Sequence, residues 1–327
     1  MRKLNLLFAA FAVVLCCSVV PAKASGMQYA ITDMGRLDGL ISGINNNGDI
    51  VGAINNGYGY SAFIWTTTSG MQIIQGADYA NGINDSGTVV GQAGSHPFIW
   101  DQTHGLTTLS ITGQAVKINN DGYVIGQGFN ESFLIKPDGT IFNLYAVWAY
   151  GLNESGQIVG VTGQTGTQTG FIWDEQADIQ ILTGLIQARG INDYGQIAGV
   201  FRNASSPYQH ACILDIKTNS IIDIGSLGSE SFPTSINNSG QVVGFTRSGP
   251  SFYWDSQTGL IDVSALLPPD SQFASISASA INNYGQIAGI GLINGESHAF
   301  LLSPVPEPTT VFLFGLGIIL ARRKLSK

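Results

Sequence analysis

The chain reads as an all-β protein, a β-propeller of seven four-stranded blades closed by the N-terminal strand. Three observations point there. A short pattern, Ile-Asn-(Asn/Asp)-x-Gly-x-(Ile/Val)-x-Gly, occurs seven times at intervals of 34 to 45 residues. The intervals hold short strand-like runs, three or four to a unit. The two ends of the repeat region each lack what the other supplies. A period near 40 with several strands per unit is the mark of a radial array.

The copies begin at Ile44, Ile83, Ile118, Leu152, Ile191, Ile236 and Ile281, with Leu152 and Glu154 the main departures in the fourth. Within each, Asn-x-x-Gly is turn chemistry: Asn and Asp side chains cap nearby backbone groups and Gly accepts a positive φ. The flanking apolar residues therefore read as two strands of one hairpin. A third strand recurs as Ala62-Phe63-Ile64-Trp65, Phe133-Leu134-Ile135, Phe171-Ile172-Trp173, Phe252-Tyr253-Trp254 and Ala299-Phe300-Leu301. A fourth recurs as Ile141-Phe142-Asn143-Leu144, Ile179-Gln180-Ile181 and Ile261-Asp262-Val263. Trp65, Trp100, Trp173 and Trp254 share one repeat position, which marks them as blade packing.

Closure is argued from the ends. Ile31-Thr32-Asp33-Met34-Gly35-Arg36-Leu37 parallels the fourth strand Ile221-Ile222-Asp223-Ile224-Gly225-Ser226-Leu227. The repeat region thus opens on an orphan fourth strand and ends, at Phe300 to Leu302, on a third strand without its fourth. Pairing first with last completes a seventh blade and removes an exposed edge. The alternative is an open β-solenoid whose odd end strands act as caps.

Residues 1–24 combine a basic start (Arg2, Lys3), an apolar run from Leu4 to Val20 and the small-residue site Ala22-Lys23-Ala24. That is the build of a secretory signal peptide, with cleavage expected after Ala24. At the other end Val305-Pro306-Glu307-Pro308 precedes an apolar stretch, Val311 to Ala321, and the basic tail Arg322-Arg323-Lys324. The 11 apolar residues are short against the roughly 20 of a spanning helix. Positive charge beyond them is expected to hold that end cytoplasmic during a transient inner-membrane association. Over residues 305–327 this order of parts resembles the PEP-CTERM sorting signal. The resemblance implies processing by an exosortase, export through the inner membrane of an exopolysaccharide-making Gram-negative bacterium, and delivery to the envelope, the outer surface or the medium.

Residues 25–304 hold seven Lys and Arg against 21 Asp and Glu, a formal net charge of −14. Nucleic acid and anionic lipid bind through Lys and Arg that neutralise phosphates, so neither is an expected partner. In that span Cys212 is the one cysteine, which leaves no intramolecular disulfide. It stands where other repeats carry Phe and reads as a buried small hydrophobe.

Across residues 27–303 the repeats resemble the HAF-repeat family of bacterial extracellular proteins, named for a His-Ala-Phe segment seen here as His298-Ala299-Phe300. The resemblance implies an extracellular place and little chemistry. His96, His210 and His298 each precede a third-strand core residue by two, so repeat position accounts for them better than a metal triad. Asp49, Asp85, Asp121, Glu154 and Asp193 occupy differing positions around the turns, which argues against calcium loops. Neither metal nor cofactor is expected. No nucleophile elbow, phosphate loop, zinc motif or dinucleotide fingerprint is present.

Tyr145, Trp148 and Tyr150 form an aromatic cluster suited to stacking on sugar rings or to local packing. The variable loops 53–60, 161–169, 200–209 and 291–297 have the Asn, Tyr, Gly, Ser and Thr content of adaptable polar recognition. The expectation is a non-catalytic envelope or matrix protein that binds exopolysaccharide or another envelope protein through its loops. Two alternatives stand beside it: an extracellular carbohydrate-active hydrolase or lyase with acids at the channel mouth, and a purely structural spacer.

Overall fold

The computed structural model describes residues 28–129, 131–145, 147–163 and 167–306, with Tyr145 described in its backbone alone. These residues form seven antiparallel four-stranded sheets, the blades of a propeller. Blades 1 to 6 are consecutive, at residues 39–73, 79–108, 114–145, 147–182, 185–225 and 231–262. In each, the hairpin of the recurrent pattern supplies the inner and second strands. Blade 7 takes its first three strands from residues 275–305 and its outer strand from Gln28–Arg36.

The expected closure is present: Ile31 pairs with Leu302 and Thr32 with Leu301, antiparallel. An open solenoid is thereby excluded. Tyr29 anchors this outer strand in a core cluster with Tyr253, Ile287 and Phe300. The third strand of blade 7, Glu296–Val305, runs two residues past the expected domain end at 303. Val305, assigned to the sorting motif from sequence, is therefore also the last residue of the sheet, paired with Gln28.

Both glycines of the recurrent pattern have a physical cause. The first (Gly48, Gly87, Gly122, Gly156, Gly195, Gly240, Gly285) has φ between 73° and 85°, the left-handed region that side chains avoid. The second faces a β-bulge, because every inner strand slips register by one residue, as between Ile41 and Gly43 or Ala149 and Gly151. The bulge drives a carbonyl against the neighbouring strand. A Cβ on Gly52 would lie 2.0 Å from the Leu40 oxygen, and one on Gly91 1.8 Å from that of Tyr79.

The ring of a third-strand aromatic covers this glycine. Phe63 pairs with Gly52, Phe98 with Gly91 and Phe300 with Gly289, each 0% exposed. Burial of each such side chain stabilises by about 1.5–3 kcal/mol. In blade 5 Cys212 takes this place at 0% exposure, and burial pushes its thiol up to about 12, so it packs as a small hydrophobe.

Removing residues 28–36 should leave the edge of Glu296–Val305 unpaired and uncover the cluster around Tyr29. Thermal denaturation should show a fall on the order of 10 °C, and light scattering should show concentration-dependent association. An unchanged melting temperature would contradict the closure.

Candidate functional site

The inner strands run toward the turns of the recurrent pattern, and all seven turns gather at one mouth of the central channel. The first Asn of each copy is 3–6% exposed and does two things at once. Its Oδ1 accepts the N–H four residues on, at 2.8–3.0 Å in every blade, which closes the turn. Its Nδ2 donates to the carbonyl of the equivalent Asn in the next blade, in the order Asn45, Asn84, Asn119, Asn153, Asn192, Asn237, Asn282 and back to Asn45. The seven distances are 2.8–3.2 Å.

A second circuit runs beside the first. The backbone N–H of the next residue donates to the side chain of its counterpart in the following blade, through Asn46, Asp85, Asn120, Glu154, Asp193, Asn238 and Asn283, at 2.8–3.0 Å. The two circuits explain the residue choice. At the first position a side chain must both donate and accept, which Asn does and an ionised Asp does not. At the second it need only accept, so Asn, Asp and Glu all serve.

The sequence alone reads these residues as turn formers, with the acids out of register. The structure corrects the second point in part: Asp85, Glu154 and Asp193 share one position and stand together at the mouth. Burial, and then Asp193, Asp121 and Asp85, raise the Glu154 carboxyl above its ordinary range. Asp101, Asp174, Asp215 and Asp255 open third-to-outer strand turns of the same face and Asp138 lies within another, each capping its own turn, so this face is acidic. Among the described residues no three His, Cys, Asp or Glu side chains form a metal-holding group.

At this mouth an open depression of about 180 Å³ is lined by the turn asparagines and acids and by Lys117. Equivalent positions in the other blades are Gly43, Gly82, Gly151, Gly190, Ser235 and Ala280, because neighbouring inner strands touch there. A Cβ on Gly82 would lie 3.1 Å from the Lys117 Cα, and one on Gly151 3.0 Å from the Gly190 Cα. Lys117 is half-buried by surface area but walled in by the channel, and desolvation lowers its pKa. It makes no ion pair among the described residues.

The opposite face carries the loops between second and third strands. Tyr58 and Phe129 stand fully in solvent there, at 103% and 89% exposure, and Tyr208 is 41% exposed. Tyr60 packs on Tyr79 with ring centroids 5.0 Å apart, and Phe232 stacks on Phe245 at 5.3 Å with Arg189 and Arg247 over its faces. Phe129 lay outside the loops picked from sequence; its signal was a large aromatic in a segment otherwise built for solvent.

Of the sequence candidates, Trp148 and Tyr150 lie half-buried on the inner strand Val147–Leu152, with Tyr150 the extra residue of the bulge. Tyr145 ends the outer strand of blade 3, and its side chain lies outside the described residues. Pro306 follows the last strand. Ala24, Glu307, Pro308, Arg322, Arg323 and Lys324 lie outside the described residues. His298 and His210 bond Asp33 and Asp223 of their own outer strands.

Adjacent substitutions separate the two circuits. Asn282→Asp removes the donor to Asn45 and places a charge in a buried site, and should cost about 2 kcal/mol or more in urea unfolding. Asn283→Asp keeps the acceptor and should stay within about 0.5 kcal/mol. Lys117→Met should raise the melting temperature at pH 7 by about 2 °C. Between the lowered folded pKa of Lys117 and the ordinary value near 10.4, the unfolded chain binds more protons, so native stability from this group rises with pH. Lys117→Met should flatten that alkaline rise.

No curated protein matches the chain. Among solved structures it is similar to U3-55K, with a TM-score of 0.59 and 12% identity over 86% of this chain and 100% of that one. The WD40 repeats of RRP9 give 0.57 and 11%, over 84% and 97%. The β-propeller domain of the Trilobed protease from Pyrococcus furiosus gives 0.58 and 10%, over 81% and 93%; it is described as an open velcro topology, whereas Gln28–Arg36 closes the ring here. At such identities the likeness concerns the fold alone. No helix among the described residues is long and apolar enough to cross a membrane. Residues 304–324 match the PEP-CTERM protein-sorting motif, a signal that implies exosortase processing and export to the cell envelope of a Gram-negative bacterium.

Proposed function

We propose that this is an envelope or matrix protein that works by binding, and that it holds exopolysaccharide on the face opposite the Asn turns. The observation that carries the proposal is the set of solvent-exposed aromatics, Tyr58, Phe129 and Tyr208, on loops fixed to a rigid ring. Rings that stand clear of the protein, as those of Tyr58 and Phe129 do, are the kind of group that stacks on sugar faces at low entropy cost, and Tyr208 offers a partly exposed ring beside them. Arg189 beside Phe232, with Arg247 there paired to Glu230, makes this face less hostile to an acidic polymer than the carboxylate-rich turn face. Trp148 and Tyr150 would extend the contact toward the channel. The sorting motif supports the location, because an exosortase substrate is delivered where the polymer is.

The polymer-cleaving alternative has acids at the channel mouth, but Asp85, Glu154 and Asp193 each accept a backbone N–H of the second circuit. Carboxylates so committed are poor candidates for the facing pair that glycoside hydrolysis needs. A pure spacer leaves the exposed aromatics without a role.

Purified residues 25–306, co-sedimented with the source organism's exopolysaccharide, should bind saturably without releasing reducing ends. The Tyr58→Ala, Phe129→Ala, Tyr208→Ala triple variant should bind about tenfold or more weakly, a loss of about 1.4 kcal/mol. Release of reducing ends would favour the enzyme, and absence of saturable binding would turn the search to an envelope protein partner or a spacer role.

A further inference from the structure

We propose that Ser206 is a nucleophile for carboxylic esters, activated by His210 and Asp223 on the loop face of blade 5. The three residues come from three places in the blade. Ser206 lies in the loop between Gln196–Arg202 and Gln209–Asp215, His210 is the second residue of the latter strand, and Asp223 sits on the outer strand Ser220–Gly225. The sheet register slips between Ala211 and Cys212, which brings Asp223 beside His210.

His210 Nδ1 is 2.9 Å from Asp223 Oδ1, and Nε2 is 2.9 Å from Ser206 Oγ. The carboxylate is fixed from two further sides, by the Asn203 Nδ2 at 2.7 Å and the Gly225 N–H at 2.8 Å. A carboxylate on Nδ1 sets the tautomer, with the proton on that nitrogen, so the Nε2 lone pair faces the serine hydroxyl. Phe201 holds the imidazole edge-on, centroids 6.3 Å apart.

The repeats supply an internal control. In blade 7 His298 Nδ1 bonds Asp33 at 3.0 Å, and in blade 2 His96 Nδ1 bonds the Ile111 carbonyl at 2.9 Å. Among the described residues neither has a hydroxyl on its second nitrogen. A bonded Nδ1 therefore recurs, on Asp in blades 5 and 7 and on a carbonyl in blade 2, and the serine is what blade 5 adds. Packing of the histidine does not require it.

The reaction balances without a further reagent. Ser206 Oγ attacks the ester carbonyl carbon while its proton passes to His210 Nε2. The tetrahedral intermediate breaks the bond to the alkoxy oxygen, and His210 returns the proton to the departing alcohol. Water, deprotonated by the same Nε2, then attacks the acyl-serine carbonyl; the bond to Oγ breaks, His210 returns the proton to Ser206 Oγ, and the carboxylic acid leaves. The Tyr208 N–H, 3.1 Å from Oγ, is the backbone donor bonded to that oxygen in the resting loop, and the exposed Tyr208 ring offers the substrate an apolar surface. This activity goes beyond polymer binding and does not depend on it.

The test uses the purified full-length chain, a fluorescent alkyl phosphonofluoridate and p-nitrophenyl acetate. One adduct is expected on the peptide holding Ser206, with none in Ser206→Ala, whose melting temperature stays unchanged. Labelling and ester hydrolysis should each fall at least about tenfold in His210→Phe and in the shape-preserving Asp223→Asn. No adduct, an adduct on another residue, or labelling indifferent to both His210 and Asp223 would overturn the proposal.

Discussion

Seven buried asparagines, each tied to the main chain of the next, hold the blades of this ring together. A propeller blade buries its faces against two neighbours, yet nothing in sheet packing alone fixes how the inner strands meet. Here the Asn45 to Asn282 circuit does so with a directional bond at every junction, and the second circuit through Asn46 to Asn283 repeats the constraint a residue later. Each bond contributes about 1 kcal/mol net, but leaving one buried partner unmade costs more than making it gains. That asymmetry penalises any ring that opens, closes with a blade missing, or slips by one turn.

The ring is therefore closed twice, by different physics at different radii. At the axis, Asn282 and Asn283 reach Asn45 and Asn46 across 237 residues of chain. At the periphery, Gln28–Arg36 completes the sheet of blade 7. Between these closures the two faces are free to diverge. The turn face is dedicated to holding the ring and collects carboxylates where an acceptor is all that is required. The loop face has no such duty, and there the fully exposed Tyr58 and Phe129, the arginines and the Ser206, His210, Asp223 chain are found, while Tyr194 and Tyr284 are the exposed aromatics of the turn face.

Much of the fold was legible because its signals are local. The spacing of Ile44 to Ile281, the left-handed Gly48 and its counterparts, and the orphan strand around Ile31 all announce themselves within a few residues. The inter-blade bonds were not legible in the same way. Asn45 and its partner Asn84 are 39 residues apart, and a turn reading already gives each Asn a sufficient local reason to be there. The signal that separates the two explanations was present: the first position is Asn in all seven copies while the second varies among Asn, Asp and Glu. Lys117 was similarly visible as the one long side chain in a column of Gly, Ser and Ala. The site residues were the least legible, since Ser206, His210 and Asp223 meet only through a loop and a register slip.

Native-state hydrogen exchange of the turn amides reports whether the circuits couple the blades into one unit. The N–H groups of Asn46, Asp85, Asn120, Glu154, Asp193, Asn238 and Asn283 should all exchange with one opening free energy, equal to that of global unfolding. Opening free energies graded from blade to blade, with some turns exchanging well below the global value, would contradict that coupling.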